Sequence, residues 1–335
     1  MAMGQILLYS LALIPILLFV GIVILMDAFS LTNWKRLIFC MTCGLICAVI
    51  AFLLEDELIP NSPLIGAINA ELLKGIPILY LVLTRKIVMV GDATIYGSAV
   101  GAGFAICENI HTVHFAIINQ SIGHGMAIML GFEAAVMHIG CSSLLAYGLI
   151  IAKQESIDWS FIKRNMSVVA VFAITIAIHF IHDVVPINPL ILTPLLVIYF
   201  VFSKYHIFKK NEMTIHNWID QCLNNDVALL ASIKKGEFSK TNAGKYLLSI
   251  KDAFPPEVFF DICCYISEYL ELSITAKSNL LLQQAGFPVQ HTEQTKERIL
   301  ELKALHRRIG KAGIQAVKPI VNIEDVDRWA VEALL

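Results

Sequence analysis

Residues 97–109 read GSAVGAGFAICEN, and the end of that stretch puts a carboxylate, Glu108, into a segment otherwise apolar enough to lie in a membrane. Gly97, Gly101, Phe104 and Glu108 follow one another at spacings of four, three and four, so they share one helical face. Glycines on such a face let a second helix backbone come close, the usual way of building a packed interface in lipid. The same face carries an ionisable group into that contact. A charged carboxylate in lipid costs roughly 3 kcal/mol even on lenient insertion scales, which marks Glu108 as functional unless it serves a structural ion pair. Polar partners on other helices decide between the two.

Composition agrees with a membrane setting. Of 335 residues, 57% are hydrophobic and only 16% charged, outside the range of soluble globular domains. A net charge of -2 with scattered basic residues gives no footprint for nucleic acid. The eight cysteines lack zinc-ribbon or disulfide-framework spacing, and Cys40, Cys43 and Cys47 read as small packing residues on one helix face.

Apolar runs at 5–27, 37–54, 64–84, 94–118, 126–152, 166–185 and 190–208 predict an all-α polytopic protein with about seven crossings, each near the 20 residues a bilayer needs. The first run lacks a small-residue cleavage site and reads as a retained helix. Pro77 and Pro194 fall inside runs, where neighbouring groups can satisfy the freed carbonyl. Lys35, Arg36, Arg85, Lys86, Lys153, Lys163, Arg164, Lys209 and Lys210 follow odd-numbered runs, with Lys204 near the end of the seventh, while the loops 55–63, 119–125 and 185–190 contain no Lys or Arg. Basic loops stay cytoplasmic, so the N-terminus is expected outside and the C-terminus in the cytoplasm. Residues 1–209 form the membrane domain on this reading. Residues 210–335, with amphipathic stretches such as PEVFFDICCYISEYLEL and TKERILELKALHRRIGK, form a cytoplasmic soluble domain of short helices divided by Gly and Pro.

Four membrane helices contribute acids or imidazoles: Glu71 with Lys74, Glu108, His138, and His179 with His182 and Asp183. At 1.5 Å per residue, Glu71 lies about 10 Å, Glu108 about 15 Å, His138 about 18 Å and His179 about 9 Å below the outer ends of their helices. Similar depth on antiparallel helices points to one hydrated cavity opening outward. Glu71 and Lys74, three apart, are placed to pair, and Asp183 is one turn from His179, which it can orient. Carboxylates to take a proton from water and imidazoles to stabilise an oxyanion or bind metal suit peptide hydrolysis. A proton relay in a carrier would use the same groups, although no internal inverted repeat supports one.

These motifs resemble the PrsW family of intramembrane proteases, distant relatives of the CAAX prenyl endopeptidases, over about residues 60–208. Ala70-Glu71-Leu72-Leu73-Lys74 stands at the family's E-E-x-x-K motif, Phe104 and Glu108 at F-x-x-x-E with Asn109 following, His138 at a third motif, and His179 with Asp183 at the last. The resemblance implies an endopeptidase that cuts a single-pass membrane protein, such as an anti-sigma factor, near the outer surface. It implies a glutamate pair that activates water, with Glu108 and His138 polarising that centre, His179 stabilising the oxyanion, and Lys74, Phe104 and Asn109 in support. Ala70 replaces the first glutamate of the pair. That departure leaves three readings: a pseudoprotease that only binds membrane segments, a variant in which Glu71 works alone, and a form inactivated by substitution. The cofactor also stays open between zinc on Glu71, His138 and His179, a two-histidine, one-carboxylate set, and a glutamate-water hydrolase needing no metal.

Overall fold

The structure, a computed structural model, describes residues 2–29, 32–58, 62–119, 123–155, 161–185, 189–289, 293–321, 323, 325–332 and 334. The elements that position the polar groups are helices α1 (Ala2–Leu25), α2 (Trp34–Leu58), α3 (Pro63–Leu83), α4 (Val90–Ile118), α5 (His124–Ala134), a π-helical segment (Ala135–Ile139), α6 (Gly140–Glu155), α7 (Phe161–Val184) and α8 (Pro189–Lys234). Among the described residues, seven helical stretches have the length and apolarity to cross a membrane, as the sequence leads one to expect, with α5, the π segment and α6 together making the fifth. Parts of the three loops without Lys or Arg, including Pro60, lie outside the described residues.

The chain divides into two compact units, Met1–Asp27 with Leu31–Asn211, and Ala28–Ser30 with Glu212–Leu335. The first unit is built around α4, which is buried almost without interruption from Gly91 to Ala105. A helix apolar on every side has to be enclosed by others. Tyr96 and Val100 of α4 share one core with Phe19 of α1, Ile78 of α3, Leu145 of α6 and Phe200 of α8.

Glycine sets how closely the neighbours approach. A Cβ on Gly97 would lie 2.7 Å from the Ser142 carbonyl oxygen, and one on Gly101 would collide with the His138 carbonyl. The glycine face of α4 therefore lies against the segment that carries His138, as its spacing predicts. Pro77 breaks the ladder inside α3, leaving the Leu73 carbonyl without its usual donor four residues on. Cys47 of α2 supplies a replacement, its thiol donating to the Leu73 oxygen at 3.3 Å. Ile174, Ile178 and Ile181 of α7 are exposed, whereas Thr175 and His179 are buried. Their spacing of four turns one narrow stripe of an otherwise outward-facing helix into the bundle.

The second unit continues with α9 (Asn242–Ser249), α10 (Pro256–Gln284), α11 (Glu293–Val317) and α12 (Asp325–Glu332). Short helices were expected here, but α10 runs for 29 residues. No Gly or Pro interrupts it after Pro256, which occupies the first turn, where its missing N–H costs nothing. The stretch TKERILELKALHRRIGK is not one helix either, because Gly310 adopts φ 63° and ψ -172° inside α11. Lys277 of α10 anchors the unit's interior, 2.6 Å from Asp226 and 3.1 Å from Asp327, with all three buried. Burial pushes the Asp327 carboxyl above its ordinary value, and the Lys277 ammonium pulls it back.

Gly101→Ala tests the close contact. In an open helix this change gains about 1 kcal/mol of helix propensity, but the new methyl meets fixed backbone, and such overpacking costs about 1–3 kcal/mol. The expected result is a lower melting temperature of the detergent-solubilised protein, and an unchanged or higher one contradicts the contact.

Candidate active site

Glu71 and Lys74 lie three residues apart on the inward face of α3 and are fully buried. The Lys74 Nζ donates to Glu71 Oε1 at 2.5 Å and lies 3.2 Å from His138 Nδ1. An ammonium has only donors, so Nδ1 of His138 must accept and its proton resides on Nε2. That nitrogen faces the Glu108 carboxylate, forming a close pair. On the other side, His179 Nδ1 is 2.8 Å from Glu71 Oε1. Its second nitrogen lies 3.6 Å from Asp183, one turn further along α7.

Aromatic contacts fix the centre of this network. The Phe104 ring lies 4.8 Å from the His138 ring, and the Lys74 Nζ sits 4.9 Å from the centroid of the same phenyl ring. The His138 and His179 rings meet edge to face at 5.2 Å. Lys74 is thus held by a carboxylate, an imidazole and a π-face, with no water needed to solvate it. The π-helical segment containing His138 is a local widening of the kind found at functional sites. Beyond Asp183, the chain of contacts continues to His182 at 3.2 Å, and from His182 Nε2 to Glu133 of α5 at 3.4 Å.

A cavity borders the network at Glu108, His179 and Asp183. It measures about 450 Å³ and is lined by Phe52, Glu55, Ser62, Pro63, Gly66, Ala70, Phe104, Glu108, His179 and Asp183. Five predicted site residues, Ala70, Phe104, Glu108, His179 and Asp183, therefore meet in one space. A larger cavity of about 630 Å³ between α6, α7 and α8 is bordered by His182 and Lys204 but by no carboxylate among the described residues, so it lacks the groups for hydrolysis.

The family model for the PrsW family intramembrane metalloproteases matches residues 32–206, more than half of the chain. The chain belongs to the PrsW family. The match starts ahead of the region carrying the sequence motifs and takes in α2, the helix that contributes Phe52 and Glu55 to the cavity. No curated protein and no solved structure matches the chain. Membership makes this a multi-pass membrane protein with a protease domain.

The family's description implies a metal, and the candidate ligands Glu71, His138 and His179 are close together. Glu71 and His138, however, hold the Lys74 ammonium, and His179 is bonded to Glu71. A divalent ion bound by all three would share a buried space with a fixed positive charge, a repulsion that low dielectric magnifies. Among the described residues, no three His, Cys, Asp or Glu side chains are arranged to hold a metal. The expected set Glu71, His138 and His179 thus fits an internal ammonium, not zinc.

Asn109 and Glu71, two of the expected site residues, lie off the cavity lining. Asn109 turns away from the cavity and donates to the Ala12 carbonyl at 3.0 Å, fastening α4 to α1. Glu71 is not among the residues lining the cavity and is bonded instead to Lys74 and His179. Glu133 and Glu55 were missed from the sequence. Glu133 was detectable by the rule that singled out Glu108, since it too is a carboxylate inside an apolar helix. By sequence Glu55 belongs to the loop 55–63, whereas α2 continues to Leu58.

Lys74→Met would leave Glu71 buried without its ammonium. Removing one partner of a buried ion pair typically costs about 3–5 kcal/mol, against the small loss from a nearly isosteric apolar replacement. The expected outcome is a large fall in unfolding free energy in mixed micelles, with Glu71→Gln on the Lys74→Met background recovering part of it.

Proposed function

We propose that the chain is a peptide hydrolase that cuts a single-pass membrane protein close to the outer membrane surface, with no obligatory metal. The observation that carries this reading is the single cavity in which Glu108, His179 and Asp183 face Ala70. The cavity is bordered by Ser62, Pro63 and Gly66, at the beginning of α3, and by Glu55 near the end of α2. This is the end of the bundle that the loop charges assign to the outside, with the N-terminus outside and the second unit in the cytoplasm. A cut there suits a substrate whose helix lies in the bilayer and whose juxtamembrane segment can unwind into the opening. An anti-sigma factor is one protein of that build.

In this mechanism His179 acts as an imidazolium, donating its Nδ1–H to Glu71 and presenting its Nε2–H to the oxygen of the scissile carbonyl. A buried donor aimed at a developing oxyanion is worth about 10²–10³ in rate. Asp183 orients the same imidazole. Glu108, fixed by His138, borders the attacking side, and the Lys74 ammonium keeps Glu71 and His138 in register. A cavity-facing carboxylate takes the proton from water, the resulting hydroxide adds to the carbonyl carbon, and the proton passes to the departing nitrogen as the C–N bond breaks.

The methyl of Ala70 supports a second reading, a pseudoprotease that binds membrane segments without cutting them. Reconstitution in proteoliposomes with single-pass helices of varied outer juxtamembrane sequence separates the two, with cleavage read by mass spectrometry. The protease reading expects cuts on the outer side of the apolar segment, a loss of 100-fold or more in His179→Ala and Glu108→Gln, and full activity in excess chelator. Binding without cleavage would favour the pseudoprotease, and loss of activity on chelation would overturn the metal-free mechanism.

A further inference from the structure

We propose that Glu55 of α2 is the catalytic base, replacing the carboxylate that Ala70 lacks. This inference rests on the protease reading and deepens it. Glu55 lines the same cavity as Ala70, Glu108, His179 and Asp183. Its Oε1 approaches α3 at Gly66, 3.1 Å from where a Cβ on that glycine would stand. Positions 66 and 70 are one helical turn apart on one face of α3, with Cβ sites about 5–6 Å from each other.

Side-chain direction makes this placement specific. Long side chains on a helix lean toward its N-terminus and cover the turn before their own Cα. A glutamate at position 70 would therefore extend over the turn that contains Gly66. The Glu55 carboxylate occupies that patch already, reaching it from the neighbouring helix. Gly66 and Ala70, the two smallest residue types, leave the room it needs. The carboxylate has moved from α3 to α2 while its place in the cavity is kept.

The chemistry is ordinary general-base hydrolysis. Glu55 removes one proton from a water in the cavity, and the hydroxide bonds to the substrate carbonyl carbon as His179 meets the oxyanion. The tetrahedral species collapses with cleavage of the C–N bond, and the proton held by Glu55 goes to the leaving nitrogen. One water is consumed for each bond cut, and Glu55 ends as it began.

The test compares the native chain, Glu55→Gln, Ala70→Glu and the double variant Glu55→Gln/Ala70→Glu, all full length in proteoliposomes with the single-pass helix set described above. General-base loss typically costs about 10²–10⁴ in rate. The native chain should cleave, Glu55→Gln should fall at least 100-fold with an unchanged melting temperature, and Ala70→Glu in that background should restore cleavage. Glu55→Asp, which keeps the acid but shortens its reach, should retain measurable activity and guards against misreading a folding defect. Cleavage by Glu55→Gln at the native rate overturns the assignment and leaves the protease reading intact. An inactive native chain alongside an active Ala70→Glu form overturns the assignment as well, and with it the claim that the native chain cleaves. Inactivity of all four contradicts the protease reading itself.

Discussion

The Lys74 ammonium is the constraint on which the membrane unit depends. It is completely enclosed, 2.5 Å from Glu71 and 3.2 Å from His138, over the face of Phe104. A buried cation is tolerable only when its donors are occupied and a counter-charge is at hand. Satisfying it gathers α3, α4 and the π-helical segment at one point. Glu71 then reaches His179 on α7, and His138 reaches Glu108 on α4. One interior charge thus fixes two imidazoles and two carboxylates.

Packing makes that convergence possible. The π-helical segment approaches α4 closely because Gly101 carries no side chain at the level of His138. The Pro77 break in α3 is stabilised by the Cys47 thiol of α2, which holds α2 beside the helix bearing Ala70, Glu71 and Lys74. The same neighbour brings Glu55 to the cavity. Outward-facing α7 contributes little to the core, so its buried stripe of Thr175 and His179 is readily explained by the site it completes. An interior of this type, with several fixed polar groups and a small cavity, is pre-organised for charge that develops during hydrolysis.

Much of this was legible in the sequence. Runs of about 20 apolar residues announce membrane helices whatever their neighbours, because the bilayer imposes their length. Glu108, Glu71, His138 and His179 stood out because an ionisable residue in lipid needs a partner. Which partner each takes was not legible: spacing along α3 predicted the Glu71–Lys74 pair, but the contact of Lys74 with His138 depends on the tertiary fold and a π-helical turn. Asn109 follows Glu108 in sequence, yet a step of 100° about the helix axis directs it to α1 instead. Glu55 was hidden by its position near a helix end, where an acidic residue reads as part of a loop. In the second unit, composition marked a change of character, while the length of α10 and the break at Gly310 were settled by packing and backbone conformation.

The central claim is that Lys74 couples the carboxylate of α3 to the imidazole of the π-helical segment. A double-mutant cycle on unfolding in mixed micelles, using Lys74→Met and His138→Phe with Glu71 intact, measures that coupling directly. Groups sharing one buried network show interaction energies of about 0.5–3 kcal/mol, whereas independent sites add to within about 0.3–0.5 kcal/mol. The account predicts a clear coupling, with the double variant less destabilised than the sum of the singles. Strict additivity would contradict it, for Lys74 would then hold Glu71 alone and the site would lack its common centre.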